Sequence, residues 1–331
     1  MGTETGSNAR TLVSIIVPTY NEERDIRPTL EALLALSYQP VEILVVDDSS
    51  DHTPDIVLEY EKRGVRLIRP KIKNGRCGAR NMGILNARGE IVIILNADVL
   101  LPRDFVERIF LHYERGVDYV CVSQAVVNLD TFYSRYVAAL DHKFSGILQH
   151  RPIWTEGFSC RRDAAIAVGM FPEWTPIPIV AGEDDYFRNR LAGEDGYAGR
   201  REHTPYRGVV DQSILVHHIA PNDLRSFWHQ RHGRGKGTPQ KHFFLGNRRL
   251  TWVFAHTLAK VGFLVWKVVL VVPALVDAAR LTRLSAGGWY DWLPFWCARS
   301  IALLAEAQGE LDGFVEIIRG VLSERITRSR L

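Results

Sequence analysis

Short apolar runs alternate with amphipathic stretches along the first hundred residues of this 331-residue chain. The apolar runs are rich in Val and Ile, as expected of strands buried on both faces, and the stretches between them carry apolar residues at helical spacing. This alternation predicts a βαβαβ series, and therefore an α/β fold with a parallel sheet covered on both faces by helices. The predicted strands are residues 12–17, 43–46, 65–68 and 91–95.

Helix signals lie between these strands. Asn21 is a candidate N-cap for a helix that carries Ile26 and Leu30 on one face. Thr53, followed by a proline, is a candidate cap for a second helix that ends near Gly64. A third helix is predicted over residues 77–87.

Polar residues follow three of the predicted strands at the point where each strand ends. Residues 18–22 follow the first strand, residues 47–50 the second, and Asn96-Ala97-Asp98 the strand that ends at residue 95. Because the carboxyl ends of parallel strands meet at one edge of a sheet, where open α/β sheets bind ligands, we expect one shared polar site. Taken singly, each group could instead be a helix cap, a turn or a loop acid.

None of these strands is followed by the glycine-rich fingerprint of a dinucleotide-binding loop or a P-loop. A phosphate group must therefore be held in a different way. Asp98 could hold it through a bound Mg²⁺ ion, because Mg²⁺ needs only one or two protein carboxylates when phosphate oxygens supply other ligands.

The composition is that of a globular protein, with 46% hydrophobic and 24% charged residues, which excludes disordered and fibrous classes. The N-terminal residues are polar and lack the pattern of a secretory signal, which favours a cytoplasmic start. Four widely separated cysteines predict neither a disulfide framework nor a cysteine zinc site: Cys77, Cys121, Cys160 and Cys297.

Five stretches of the chain, in their order and spacing, resemble the successive motifs of family 2 glycosyltransferases. This resemblance covers roughly residues 12 to 235 and implies the GT-A fold, with a mixed, mostly parallel sheet. It also implies an inverting transfer of a sugar from a nucleoside diphosphate donor, with UDP favoured and GDP possible, and the use of Mg²⁺ or Mn²⁺. The stretches are residues 13–23, 46–51, 74–83 and 96–98, followed by residues 157–173, which continue into a short acidic group at 182–185.

The resemblance implies roles for individual residues. Asp98 matches the last acid of the family's metal-binding Asp-x-Asp motif, whereas Asn96 stands where the first Asp is usual. The amide removes one negative charge, although its oxygen can still ligate a cation. Donor binding is implied for Pro18, Tyr20, Glu22, Asp48, Gly78, Arg80, Asn96 and Asp98, and acceptor binding for Gly157, Phe158 and Arg161.

A cluster of three acids opens a predicted helix at Glu183, Asp184 and Asp185. The resemblance implies that Asp184 is the base that takes the proton from the acceptor hydroxyl, and crowding by like charges would raise its pKa into a useful range. For the two flanking acids, complementing the helix dipole is an equal alternative to a catalytic role.

Two further groups lie downstream. His217 is a candidate third metal ligand with Asn96 and Asp98, a structural histidine being the alternative. Residues 227–237 are glycine-rich, basic and aromatic, and we expect a mobile loop in which Arg231 and Arg234 bind the departing diphosphate. The match of this stretch to a Gln/Arg-x-x-Arg-Trp element of the family is loose.

The C-terminal third is basic and apolar. Residues 1–221 carry a net charge of −5 and residues 222–331 one of +8. Residues 251–276 are apolar and long enough to span a bilayer. However, His256, Lys260 and Lys267 share one stripe, so the helix either lies in the interface or spans with that stripe facing protein or a lipid phosphate.

Basic residues on both sides of this segment favour a re-entrant or surface-lying helix over a single pass. The aromatic stretch 289–305 is interfacial in character, and a soluble helical core or dimer interface is the alternative for both segments. The basic residues are Arg248, Arg249, Arg280 and Arg283, with Arg319, Arg325, Arg328 and Arg330 further on.

We therefore predict a flexible N-terminus (1–10), a GT-A catalytic domain (11–235) and a helical, membrane-associated region (236–331). The expected partners are a nucleotide-sugar, a lipid-linked or glycan acceptor and the cytoplasmic face of the cell membrane, but not nucleic acid, because acids cluster at the strand ends. A sugar-phosphate nucleotidyltransferase and a catalytically silent sugar-binding or scaffold subunit remain as alternatives.

Overall fold

A single mixed sheet forms the centre of the protein. The computed structural model describes residues 10–72, 75–147, 156–195 and 203–328, so nearly all of the predicted flexible N-terminus, and Asn74 of the third motif, lie outside the described residues. The sheet order is β3-β2-β1-β4-β7-β6-β8-β5. The strands are β1 (Val13–Thr19), β2 (Val41–Asp47), β3 (Val65–Ile68), β4 (Ile91–Ile94), β5 (Val99–Leu100), β6 (Tyr119–Val126), β7 (Phe158–Arg161) and β8 (Gly208–His218).

The first four strands pair in parallel, as the sequence predicts. The next strand of the sheet, β7, runs antiparallel to both β4 and β6, while β8 is parallel to β6 and antiparallel to the short β5. The carboxyl ends of β1, β2 and β4 therefore meet at one edge, and the start of β7 lies at that same edge.

Helices follow most strands. They are α1 (Ile26–Leu34), α2 (Thr53–Leu58), α3 (Gly75–Asn86), α4 (Phe105–Glu114), α5 (Phe132–Ile147), α6 (Arg162–Ala167), α7 (Glu183–Leu191), α8 (Leu224–Gln240), α9 (Leu250–Val269), α10 (Val272–Thr282) and α11 (Trp292–Arg328), with 3-10 segments at Glu61–Arg63 and Gly288–Asp291 and a π-helical segment at Lys241–Leu245.

Two apolar cores cover the two faces of the sheet. Because side chains alternate along a strand, Ile15 and Val17 of β1 pack with α1, α2 and α4, whereas Ile16 packs with α3, α6 and α7. Helices on both faces are thus as predicted. A third core joins α5 to α8, α10 and α11, and in it Tyr136 meets the rings of Phe227 and Phe295 edge-on at 5.8 and 5.5 Å.

The first two helices begin and end differently from the sequence prediction. Asn21 does not cap α1, which begins at Ile26; instead it adopts a positive φ of 59° and its side-chain oxygen accepts a hydrogen bond from the Ser50 N–H at 3.0 Å. The second helix ends at Leu58 and a 3-10 turn continues to Gly64, where φ is +96°.

The predicted mobile loop over residues 227–237 lies inside α8, so this prediction requires correction. Its glycines allow close contact between helices: a Cβ on Gly235 would overlap the carbonyl oxygen of Glu306, and one on Gly309 of α11 would overlap that of His232. Salt bridges from His232 to Asp312 (2.8 Å) and from Lys236 to Glu316 (2.6 Å) flank the contact. The predicted domain boundary at residue 235 also falls inside α8.

The long apolar segment is a broken helix. The first part, α9, ends at Val269, and Val271, with φ of +59°, precedes α10. Among the described residues, α9 is the helix that is long and apolar enough to cross a membrane by length and composition. Its polar stripe faces protein, because Lys260 pairs with Glu310 of α11 and Lys267 with Asp277 of α10 (3.7 Å).

Candidate active site at the carboxyl edge of the sheet

Hydrogen bonds join the loops that follow β1 and β2. The Thr19 hydroxyl donates to Asp47 (2.8 Å), the Asp48 N–H donates to the Thr19 carbonyl (3.0 Å), and the Glu22 N–H donates to the Thr53 hydroxyl (2.8 Å). Asp48 is buried, whereas the Tyr20 ring is 63% exposed. The two loops thus form one rigid edge from which an aromatic ring projects.

A cavity of about 380 Å³ lies beside this edge, between the chain after β3 and helix α3. Gly78 contributes to its wall, which carries two basic side chains, Arg69 and Lys71, and one acidic side chain, Glu173. The Arg69 guanidinium also lies 3.5 Å from the carboxylate of Asp47.

Arg80 connects α3 to two other parts of the site. It is buried, and its guanidinium donates to Oε1 of Glu183 (2.9 Å) and to Oδ1 of Asn96 (3.4 Å). Arg76, one turn earlier and half-exposed, lies 3.6 Å from Glu183. The two hydrogen bonds of Arg80 bring the strand-end segment and the acidic start of α7 together, as the sequence predicts. Arg76 is a site residue that the sequence does not predict.

Asp98 contacts a histidine other than the one predicted. Its Oδ2 lies 3.4 Å from Nε2 of His218, whereas His217 points to the opposite side of β8 and is exposed. Burial disfavours the charged form of His218, but the hydrogen bond and charge of Asp98, together with the charges of Glu156 and Asp141, outweigh it, so the pKa of His218 is raised. Residues alternate along a strand, so a shift of one position reverses which histidine reaches the site.

Several carboxyl groups lie close to Asp98. Burial, with the nearby charges of Asp98, Asp25 and Asp51, raises the pKa of Glu22 to about 8, and burial with Asp98 also raises the pKa of Asp25. The buried Oδ1 of Asp98 accepts no hydrogen bond from any residue in the described ranges. No cluster of three or more metal-binding side chains occurs within those ranges. Asp98 therefore fits a divalent ion held by one carboxylate and by ligand oxygens.

The acids at the start of α7 have distinct environments. Glu183 is buried against Arg80, while Asp184 and Asp185 are partly exposed. Burial and the charges of its two acidic neighbours raise the pKa of Asp184 to about 7, which suits a general base at neutral pH.

One residue of the site has no signal in the sequence. Glu156 accepts a hydrogen bond from the Asn96 side-chain amide at 2.9 Å. Burial and the charge of Asp98 raise its pKa. It precedes Gly157, whose φ of +80° turns the chain into β7 at the site edge.

Four predicted site residues have surroundings that differ from the sequence prediction. Phe158 is fully buried against Phe187, and Arg161 lies at the opposite edge of the sheet, paired with Glu90, because β7 is antiparallel to β4. Arg231 is buried with its guanidinium over the rings of Tyr136 and Phe227, and burial lowers its pKa to about 10. Arg234 is exposed.

The family sequence model described as Glycosyl transferase family 2 matches residues 14–171. Residues 14–171 therefore form a family 2 glycosyltransferase domain. A UDP-Glc:alpha-D-GlcNAc-diphosphoundecaprenol beta-1,3-glucosyltransferase of Escherichia coli is 28% identical over 141 residues, which are 42% of this chain and 56% of that protein.

A second relative, the glycosyltransferase GlyA of Streptococcus pneumoniae, is 32% identical over 232 residues, 66% of this chain and 32% of that protein. The chain thus spans between about a third and somewhat over half of these two relatives. Among solved structures, a Pyrobaculum calidifontis mannosyltransferase in complex with GDP-Man and Mn²⁺ superposes with a TM-score of 0.57 at 23% identity, covering 92% of this chain and 88% of that one. The fold of this chain is GT-A.

Proposed function

We propose that this chain is an inverting glycosyltransferase that moves a sugar from a nucleoside diphosphate, UDP in preference to GDP, to a lipid-linked acceptor. One observation carries the proposal: Arg80 contacts both Asn96 and Glu183. That contact supports a common site for the Asp98 segment and the Asp184 helix.

The donor would occupy the carboxyl edge of the sheet. Tyr20 and Asp48 would contact the base and ribose, and the cavity beside Gly78 offers positive charge from Arg69 and Lys71. A divalent ion, Mg²⁺ or Mn²⁺, would supply positive charge to the diphosphate, with Asp98 as its protein ligand.

Asp184 would accept the proton of the acceptor hydroxyl as that oxygen bonds to the anomeric carbon and the nucleoside diphosphate leaves with the electrons of the broken bond. The raised pKa of about 7 supports this role, because such a carboxylate is both partly deprotonated and basic at neutral pH. Glu183, paired with Arg80, would hold the start of α7 rather than take the proton.

The C-terminal helices support a membrane-bound acceptor. The outward side of α9 is apolar, and we call Phe254, Leu258, Val265, Trp266 and Val269 the apolar face. The E. coli relative is named as a glucosyltransferase that acts on a GlcNAc-diphosphoundecaprenol. We propose that the apolar face lies on the cytoplasmic leaflet and brings the active site to such an acceptor.

Product analysis with UDP-glucose, UDP-GlcNAc and GDP-mannose tests this function. We expect release of the nucleoside diphosphate from one of these donors. Asp184→Asn should lower kcat by about 10²–10⁴ while donor binding remains, because only the base is lost. Asp98→Ala should abolish Mn²⁺-dependent nucleotide binding in a thermal-shift assay.

The same measurements discriminate against the alternatives. A nucleotidyltransferase would consume nucleoside triphosphate and release pyrophosphate. A silent subunit would bind a nucleotide-sugar without turnover, and the two variants would then have no activity to lose.

A further inference from the structure

Asn96 lies between two groups of opposite hydrogen-bonding character. Its amide nitrogen donates to Oε1 of Glu156 at 2.9 Å, and its amide oxygen accepts from Nη2 of Arg80 at 3.4 Å. Its backbone N–H lies 3.4 Å from the other oxygen of Glu156. An ionised carboxylate only accepts hydrogen bonds and a guanidinium only donates them, so the two neighbours make different demands on residue 96.

An amide meets both demands, and in a single orientation. The reverse orientation would turn the NH₂ group toward Arg80 and the oxygen toward Glu156, which loses both hydrogen bonds. A carboxylate at this position would still accept from Arg80, but it would face the carboxylate of Glu156 at hydrogen-bonding distance, where like charges repel strongly. The identity of residue 96 is therefore coupled to Glu156.

The contact extends to the helix that carries the proposed base. The same Arg80 that donates to Asn96 also donates to Glu183, the first residue of α7. Glu156, Asn96, Arg80 and Glu183 thus form one chain of hydrogen bonds across the start of β7, the end of β4, α3 and α7. A change at either end alters the position of the guanidinium between them.

We propose that Glu156 is a positioning residue that makes asparagine, not aspartate, the required residue at position 96. Two carboxyl groups remain beside the proposed diphosphate site, those of Asp98 and Glu156, so the carboxyl group missing from residue 96 is present one contact away. This inference rests on the proposed function where it concerns nucleotide binding. Its consequence is that Asn96→Asp, which restores the family's Asp-x-Asp motif, weakens the site, and Glu156→Gln repairs it.

The first test is a thermal-denaturation cycle on ligand-free protein. We expect Asn96→Asp to lower Tm by roughly 3 °C or more and Glu156→Gln to lower it less, since a glutamine still offers an oxygen to Asn96. The double variant should return to within about 2 °C of the wild type, because the amide introduced at position 156 would donate to the carboxylate introduced at position 96. Asn222→Asp, at an exposed position outside the helices, controls for the added charge.

The proposal is wrong if the Tm loss of the double variant equals the sum of the Tm losses of the two single variants. If Asn96→Asp yields no folded protein, recovery of folded protein in the double variant supports the pairing, and failure to recover contradicts it.

The second test measures UDP and GDP binding with Mn²⁺ by calorimetry on the same four proteins. We expect Asn96→Asp to weaken binding at least fivefold and the double variant to recover most of it. If Asn96 were only a weakened metal ligand, Asn96→Asp would bind nucleotide more tightly whatever residue 156 is, and that result would exclude the proposal. Should the wild type bind neither nucleotide, the proposed function fails, while the thermal cycle still decides the pairing.

Discussion

The chemistry of the site depends on how individual carboxylates are kept apart or crowded together. Glu183 is neutralised by Arg80, whereas Asp184 next to it is raised to a pKa of about 7 by burial and by its acidic neighbours. Two adjacent acids on one helix turn therefore have different electrostatic surroundings. This difference suits the proposed roles, in which Glu183 holds the start of α7 and Asp184 accepts a proton.

A comparison of Asp184→Asn with the wild type at several pH values should distinguish the effect of Asp184 on stability from its effect on activity. The folded-state pKa of Asp184 lies above its ordinary value of 3.8, so the folded protein holds a proton that the unfolded chain releases. The stability that this proton contributes is present at low pH and is lost as pH rises from about 4 through about 7. We therefore expect the variant to gain Tm relative to the wild type at pH 8, and this gain to shrink at pH 5.

Activity should follow the opposite trend, because the wild-type kcat requires the deprotonated form and should rise with pH up to about 7. Melting curves and rates at the two pH values measure both effects. A Tm difference that is the same at pH 5 and pH 8 would contradict the raised pKa.

At the residue scale, the sequence indicates which side chains can bind a ligand or move a proton, but it does not indicate which other residues they contact in the fold. Asp98 and Arg80 were identified from their motifs, and in the structure Arg80 donates a hydrogen bond to Asn96, two residues before Asp98. Glu156 could not be identified, because its role depends on contact with Asn96, sixty residues earlier in the chain. The choice between His217 and His218 depends on strand alternation around a register shift that leaves no pattern in the sequence.

Helix α8 shows how glycine can serve packing rather than mobility. Gly235 lies against the backbone of Glu306, while Gly309 and Gly313 of α11 lie against the backbones of His232 and Lys236. Glycine costs helix stability, but here the lack of side chains lets two helices approach until backbone meets backbone. The nearby salt bridges then fix the register.

Gly235→Ala and Gly233→Ala, two residues apart on α8, should have opposite effects. A Cβ on Gly235 would overlap the Glu306 carbonyl oxygen, so we expect a loss of about 1–3 kcal/mol in the free energy of unfolding. A Cβ on Gly233 meets no atom within 4 Å, so a gain of about 1 kcal/mol is expected from helix propensity. Urea denaturation measures both, and equal effects would rule out the close contact.

At the element scale, β1 to β4 were predicted within one or two residues, because runs of Val and Ile buried on both faces carry a strong pattern. Helix α8 was predicted as a loop, because glycine-rich sequence is intrinsically a poor helix former. The residues that make it a helix belong to α11, about seventy positions later, and local patterns do not show such a partner.

The whole molecule combines a polar site at one sheet edge with an apolar helical surface. Val253, Thr257 and Leu264 are buried on the inner side of α9, whose Lys260 pairs with Glu310 of α11. A spanning α9 would have to leave α11 or draw its acids into hydrocarbon, which is costly. If the chain binds a membrane as proposed, this packing favours α9 lying along the surface, with exposed arginines before α9 (Arg248 and Arg249) and at the end of α10 (Arg280 and Arg283).

Vesicle flotation of the full chain tests this orientation. Trp266→Glu should weaken binding to vesicles of phosphatidylglycerol and phosphatidylcholine at least tenfold, because burying such a side chain contributes about 1.5–3 kcal/mol. Leu111→Glu, at a similarly exposed position on α4, is the matched control and should bind normally. Each arginine attracts anionic lipid by about 1 kcal/mol, so high salt should also weaken binding. A helix in the surface plane should be released from membranes by alkaline carbonate; resistance to carbonate would instead require that α9 spans the bilayer and that its pairing with α11 is broken there.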